Sequence, residues 1–122
     1  MRVLIVDGAN VVGSRPDGWW RDRAGAAKRL HDAIVRADLP YDRIVLVLEG
    51  AAKAGQPMGV VDHVETTHAR GSGDDAIVDE ARTCGVASED VVVVTADQGL
   101  RERVEDVGAS CIGPSALLDQ LP

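Results

Sequence analysis

Four acidic positions stand behind the most apolar stretches of this chain. Asp7 follows Val3-Leu4-Ile5-Val6, and Glu49 follows Ile44-Val45-Leu46-Val47-Leu48. Asp97 comes two residues after Val91-Val92-Val93-Val94-Thr95, and the pair Asp74-Asp75 opens a helical segment further back. Unbroken runs of β-formers predict strands buried on both faces. A carboxylate at the end of such a strand is costly unless it is paired, hydrogen-bonded or holding a metal. In a parallel sheet all four positions fall on one edge, where open α/β proteins bind ligands. Carboxylates drawn together repel one another unless divalent cations sit among them. An all-oxygen set without clustered His or Cys favours Mg²⁺ or Mn²⁺ over zinc. Such a site suits phosphoryl chemistry, in which one ion activates water and a second stabilises the leaving oxygen.

Each acid also has a plain structural reading. Asp97 can cap the helix Gln98 to Val107, and Asp74 can cap its own helix. Glu49 can be a solvated loop acid. Asp7, between Val6 and Gly8, has no predicted helix to cap. Gly8 lets the chain leave its strand at an unusual angle and lets a ligand approach, and Asn10 puts an amide beside Asp7.

The elements that must position these residues alternate. Strands are expected at Val3 to Val6, Ile44 to Leu48, Val60 to Thr67, Val91 to Thr95 and Ala109 to Ile112. A helix from Asp22 to Ala37 has Ala26, Ala27, Leu30, Ile34 and Ala37 as its apolar stripe. A second runs from Asp74 to about Cys84 with Ile77, Val78, Ala81 and Cys84 inward. A third follows Asp97 with Leu100, Val104 and Val107 on one face. Pro114 starts a terminal helix carrying Leu117, Leu118 and Leu121. Val12 to Arg21 is expected as a polar loop and Ala51 to Gly59 as a mobile one. Alternation of this kind implies right-handed βαβ units and a parallel sheet covered on both faces, with the first strand central.

The stretches Asp7-Gly8-Ala9-Asn10, Leu48-Glu49-Gly50, Gly73-Asp74-Asp75 and Thr95-Ala96-Asp97 resemble the four signature stretches of the NYN domain. That family is the branch of PIN-like nucleases that includes the YacP-like proteins, and the resemblance spans nearly the whole chain. It implies a PIN-like three-layer α/β/α fold with a five-stranded parallel sheet in the order 3-2-1-4-5, and a single domain over residues 1–122. It also implies a metal-dependent ribonuclease. By motif match Asp7, Asp75 and Asp97 would be metal-binding acids, with Asp74 beside them and Asn10 orienting the site. Glu49 falls where many relatives carry Asp, and its longer side chain shifts the metal or binds it through water. Arg101 stands where some relatives carry a further acid, which favours one tightly held metal over two.

The totals bound these readings. The 122 residues suffice for one domain with its own core, and 45% hydrophobic residues argue against disorder. Aromatics are only 2% and Phe is absent, so Val, Leu, Ile and Ala must build the core. A net charge of −7 is a poor balance for bulk attraction to nucleic acid. A local basic rim can offset it: Arg15, Arg21 and Arg23 cluster between the first strand and its helix, Lys53, His68 and Arg70 lie in loops that open toward the acidic edge, and Arg15, Arg21, Lys53 and Arg70 are candidate RNA phosphate contacts. Lys28 and Arg29 read as solvated helix residues. Of the adjacent Trp19 and Trp20, one is expected to pack and the other to stay exposed, for base stacking or a homodimer contact. Cys84 and Cys111 lack ligand-like spacing and read as small buried hydrophobes of a reducing, cytoplasmic compartment. No apolar run reaches the ~20 residues of a membrane span.

The leading expectation is therefore an endoribonuclease using Mg²⁺- or Mn²⁺-activated water on RNA. The alternatives are a catalytically impaired RNA-binding module, a metal-dependent small-molecule phosphohydrolase and a structural domain. Gly8-Ala9-Asn10 lacks the glycine-rich turn of a dinucleotide site. No Ser sits at a strand-to-helix elbow, which disfavours a triad hydrolase.

Overall fold

The computed structural model describes residues 1–87 and 90–122. Six strands form one sheet: β1 (Arg2–Asp7), β2 (Arg43–Leu48), β3 (Gly59–Val61), β4 (Val64–His68), β5 (Asp90–Val94) and β6 (Ser110–Ile112). Among the described residues five α-helices accompany them: α1 (Gly8–Gly13), α2 (Arg23–Arg36), α3 (Gly73–Val86), α4 (Gln98–Asp106) and α5 (Pro114–Leu118). The strand order is β3-β4-β2-β1-β5-β6. All neighbours are parallel except β3 and β4.

The two-residue period of the strands explains their unbroken apolar runs. Leu4, Val6, Ile44, Leu46, Leu48, Val92 and Val94 point into one core with Val11 of α1, Leu30 and Ile34 of α2 and Leu117 of α5. Val3, Ile5, Val45, Val47, Val91 and Val93 point into the other, with Ile77 and Ala81 of α3 and Leu100 and Val104 of α4. Every residue from Val3 to Val6 must therefore be apolar, because each faces one of two helical layers.

Four expectations need correction. The strand expected from Val60 to Thr67 is a hairpin, with Val61 opposite Val64 and Asp62-His63 between them. Asp62 takes a left-handed φ of 54°, which Asp tolerates better than most residues. The sheet thus gains an antiparallel edge strand, and the remaining five keep the order 3-2-1-4-5. The chain after β1 turns at once into α1, so the loop expected from Val12 begins only after Gly13. Gly50–Gly55 is a 3-10 helix packed on α2 rather than a free loop. Its Gly55 lies so close to the Ala24 carbonyl that any Cβ would strike it. The helix carrying Asp74 is capped by Ser72, whose Oγ accepts from the Asp74 N–H, so Asp74 occupies the first turn instead of the cap.

No helix among the described residues is long and apolar enough to cross a membrane.

Candidate active site

The C-terminal ends of β1, β2 and β5 and the start of α3 meet at one edge. Asp7 ends β1 and is nearly buried, at 6% exposure. It is also the N-cap of α1: Oδ1 accepts from the Asn10 N–H at 3.3 Å. The sequence reading that Asp7 had no helix to cap is therefore overturned by the six-residue helix behind it. Its other oxygen, Oδ2, accepts from the Thr95 hydroxyl at 2.9 Å. Thr95 is fully buried, and its Oγ1 in turn accepts from the Asp97 N–H at 3.2 Å. One hydroxyl thus links the ends of β1 and β5.

Asn10 fastens the same two elements from the other side. Its Oδ1 accepts from the Ala96 N–H at 2.8 Å. Asp97 caps α4, accepting from the Leu100 N–H at 2.9 Å, so its capping reading holds. Arg101 donates from Nε to the Thr95 carbonyl at 3.1 Å. That bond ties the first turns of α4 to the end of β5. Glu49 is half-buried, not solvated; its Oε2 accepts from the Gly73 N–H at 3.0 Å and ties β2 to the start of α3. A side chain on Gly73 would press on that carboxylate.

Adjacent Asp74 and Asp75 part company. Asp75 is exposed and accepts from Arg103 at 2.8 Å. Asp74 turns toward the other acids. Burial raises its carboxyl above the ordinary range, helped by Asp97, Glu49 and Asp75 and opposed by Arg103. Burial likewise raises Asp7, against the bonds from Thr95 and Asn10, with Asp74 and Glu49 adding repulsion. Asp7, Glu49, Asp74 and Asp97 therefore form one electrostatic group, and Asp75 stands at its margin.

The expectation that Asp7, Asp75 and Asp97 reach one shared ion is not met. Among the described residues no group of three or more His, Cys, Asp or Glu side chains is arranged to hold a metal. Asp7, Glu49 and Asp97 each accept from protein donors, and Asp75 is held by Arg103. The donor set still fits a hard cation in kind, because it is all oxygen and its members repel one another. Mg²⁺ is commonly held by one or two carboxylates, with water and substrate phosphates completing the shell, and needs no dedicated cage.

A cleft of about 350 Å³ adjoins the acids, with Gly8, Trp19, Arg23, Leu48, Glu49 and Ala52 in its walls. Trp19 is half-buried and Trp20 is 55% exposed, as expected for neighbours on one short turn. The Arg23 guanidinium lies 5.0 Å over the Trp19 ring. Val12 also borders a hollow containing Arg15, and Gly71 one containing Arg70, so each arginine lies in a hollow that shares a wall residue with the cleft. Arg21 is exposed over Trp20, and Lys53 is half-buried on the 3-10 helix. Sequence reasoning placed Arg23 in the basic rim but missed Thr95 as a site residue, for which a lone hydroxyl ending four valines was the signal.

Thr95→Val should cost about 1–3 kcal/mol, because the Asp7 carboxylate and the Asp97 N–H both lose a buried partner. A lower urea midpoint with an unchanged slope is the expected result.

The mostly parallel sheet with helices on both faces defines a three-layer α/β/α fold. The chain is similar to the crystal structure of Rae1 (YacP) from Bacillus subtilis, solved as a mutant. The TM-score is 0.78 at 19% identity, over 98% of this chain and 74% of that one. At that identity the likeness establishes the fold. No family model and no curated protein matches the sequence.

Proposed function

We propose that this protein is a metal-dependent endoribonuclease that hydrolyses RNA phosphodiesters. The observation that carries the reading is the group Asp7, Glu49, Asp74 and Asp97 at one sheet edge, where burial and mutual repulsion hold Asp7 and Asp74 above their ordinary pKa. The NYN-like motifs and the YacP-like fold support it. Repulsion of this kind makes the edge receptive to positive charge. Activated water and neutralised phosphate charge are what a bound Mg²⁺ or Mn²⁺ supplies, and Asp7, Asp74, Asp97 and Glu49 are the residues to hold it, directly or through water.

The chain's own residues do the rest. Thr95 and Asn10 fix the Asp7 carboxylate and lock α1 to the β5–α4 loop. Glu49 sets the start of α3 and hence Asp74. Arg15, Arg21, Lys53 and Arg70 grip phosphates, which positions the strand without reading its sequence.

Incubation with single-stranded RNA in Mn²⁺ tests this. Wild type should cleave, EDTA should stop it, and Asp74→Asn should lose more than about 100-fold. Asp75→Asn should stay within a few-fold of wild type, since its carboxylate is taken by Arg103. Cleavage untouched by EDTA and by Asp74→Asn would sink the proposal. A second reading, an RNA-binding module without activity, is favoured by one observation: the carboxylates of Asp7, Glu49 and Asp97 already accept from protein donors. It predicts RNA binding indifferent to Mn²⁺ and no cleavage.

A further inference from the structure

We propose that the cleft beside the acidic edge is a subsite for one unpaired RNA base, and that Glu49 selects bases carrying an exocyclic amine. The inference rests on the RNA reading above and adds to it the form of RNA and a preference among bases. Its volume, about 350 Å³, is at the low end for small-ligand sites, roughly 300–1,000 Å³. A single base fits such a space and a duplex does not, so the base must be unstacked. One wall is the Trp19 indole with the Arg23 guanidinium layered on it at 5.0 Å. Aromatic and guanidinium planes are what a splayed base packs against. Leu48 and Ala52 supply apolar surface, and Gly8 joins the cleft to Asp7, its neighbour in the chain. A base held here keeps its own phosphate near the acids.

Glu49 supplies discrimination. Its Oε2 is engaged by the Gly73 N–H, whereas Oε1 has no hydrogen bond among the described residues. A carboxylate only accepts. Adenine, cytosine and guanine each offer it an exocyclic amine, as in carboxylate contacts to cytosine N4. The one edge N–H of uracil is flanked by two carbonyl oxygens, which a carboxylate repels. The second methylene of Glu49 carries its carboxylate further from β2 than an Asp would reach.

The test uses single-stranded oligo(A), oligo(C) and oligo(U) in EDTA, with binding read by anisotropy of a labelled strand. Trp20→Phe leaves Trp19 as the one indole, and oligo(A) should quench its fluorescence. Trp19→Leu should weaken oligo(A) binding between about 5- and 150-fold, the worth of one stacked base. Trp19→Phe, which keeps an aromatic plane, should fall between and covers the case in which the leucine variant fails to fold. Wild type should prefer oligo(A) and oligo(C) over oligo(U). Glu49→Gln keeps an acceptor for Gly73 and should bring that ratio near one. RNA binding with silent Trp19 fluorescence and unchanged affinity in Trp19→Leu and Trp19→Phe would overturn the subsite and leave the ribonuclease reading standing. Absence of binding to any RNA would overturn both.

Discussion

Asp7→Asn should abolish RNA cleavage and leave the fold intact. The expected loss exceeds 100-fold, since changes to groups that merely orient metal ligands already cost about 10–100-fold. The amide keeps the shape of the side chain but not the charge that attracts a cation. Stability should move the other way. Burial, first among the causes, raises the folded Asp7 carboxyl above its ordinary value of 3.8. A group shifted in that direction binds a proton more tightly in the folded chain than in the unfolded one. Its contribution is therefore most favourable at acid pH, below 3.8, and is lost as pH rises through the folded value. Asn carries no such penalty. In EDTA at neutral pH, Asp7→Asn should melt a few degrees above wild type, and the gap should close toward acid pH. Added Mn²⁺ should raise the wild-type midpoint and not that of the variant. Equal cleavage by both proteins would remove Asp7 from the chemistry. A variant that melts well below wild type would mean that the bonds from Thr95 and Asn10 need the charge.

Leu46→Ala should produce the largest loss of stability. Leu46 is fully buried on β2, between Val6 of β1 and Thr66 of β4, and its side chain faces the α1, α2 and α5 layer. Removing it costs about 2–5 kcal/mol in transfer and cavity terms. That is a large share of the roughly 5–15 kcal/mol that holds a typical domain together, so Tm should fall by about 10 °C or more. Val60→Ala on the exposed edge strand β3 gives the contrast. Val60 is 68% exposed, and the change should stay within about 0.5 kcal/mol. Similar losses at both positions would mean that β3 is covered in solution.

Much of this molecule can be read from local pattern. The strands are visible because a residue facing either helical layer must be apolar, and Val3 to Val6, Ile44 to Leu48 and Val91 to Val94 have no polar break. The helices are visible because their stripes recur at three and four residues. The choice between Asp74 and Asp75 was also present in that periodicity. Asp74 lies three, four and seven residues before Ile77, Val78 and Ala81, on the stripe that packs inward, and the next residue is rotated about 100° away. Residue order alone also determined that the acids share an edge, since parallel strands end together.

Other features depended on contacts between distant residues. Whether Val60 to Thr67 is one strand or a hairpin turned on Asp62, whose left-handed backbone no apolar pattern announces. Gly8–Gly13 became a helix because Asp7 caps it and Val11 enters a core made by residues far along the chain. Thr95 bonds Asp7 across 88 positions, and Asn10 reaches Ala96 across 86. The sequence by itself determined which side chains arrive at the edge, because periodicity and strand direction are local. Only the tertiary structure decided how each carboxylate is occupied, because hydrogen-bond partners are chosen by distance in space.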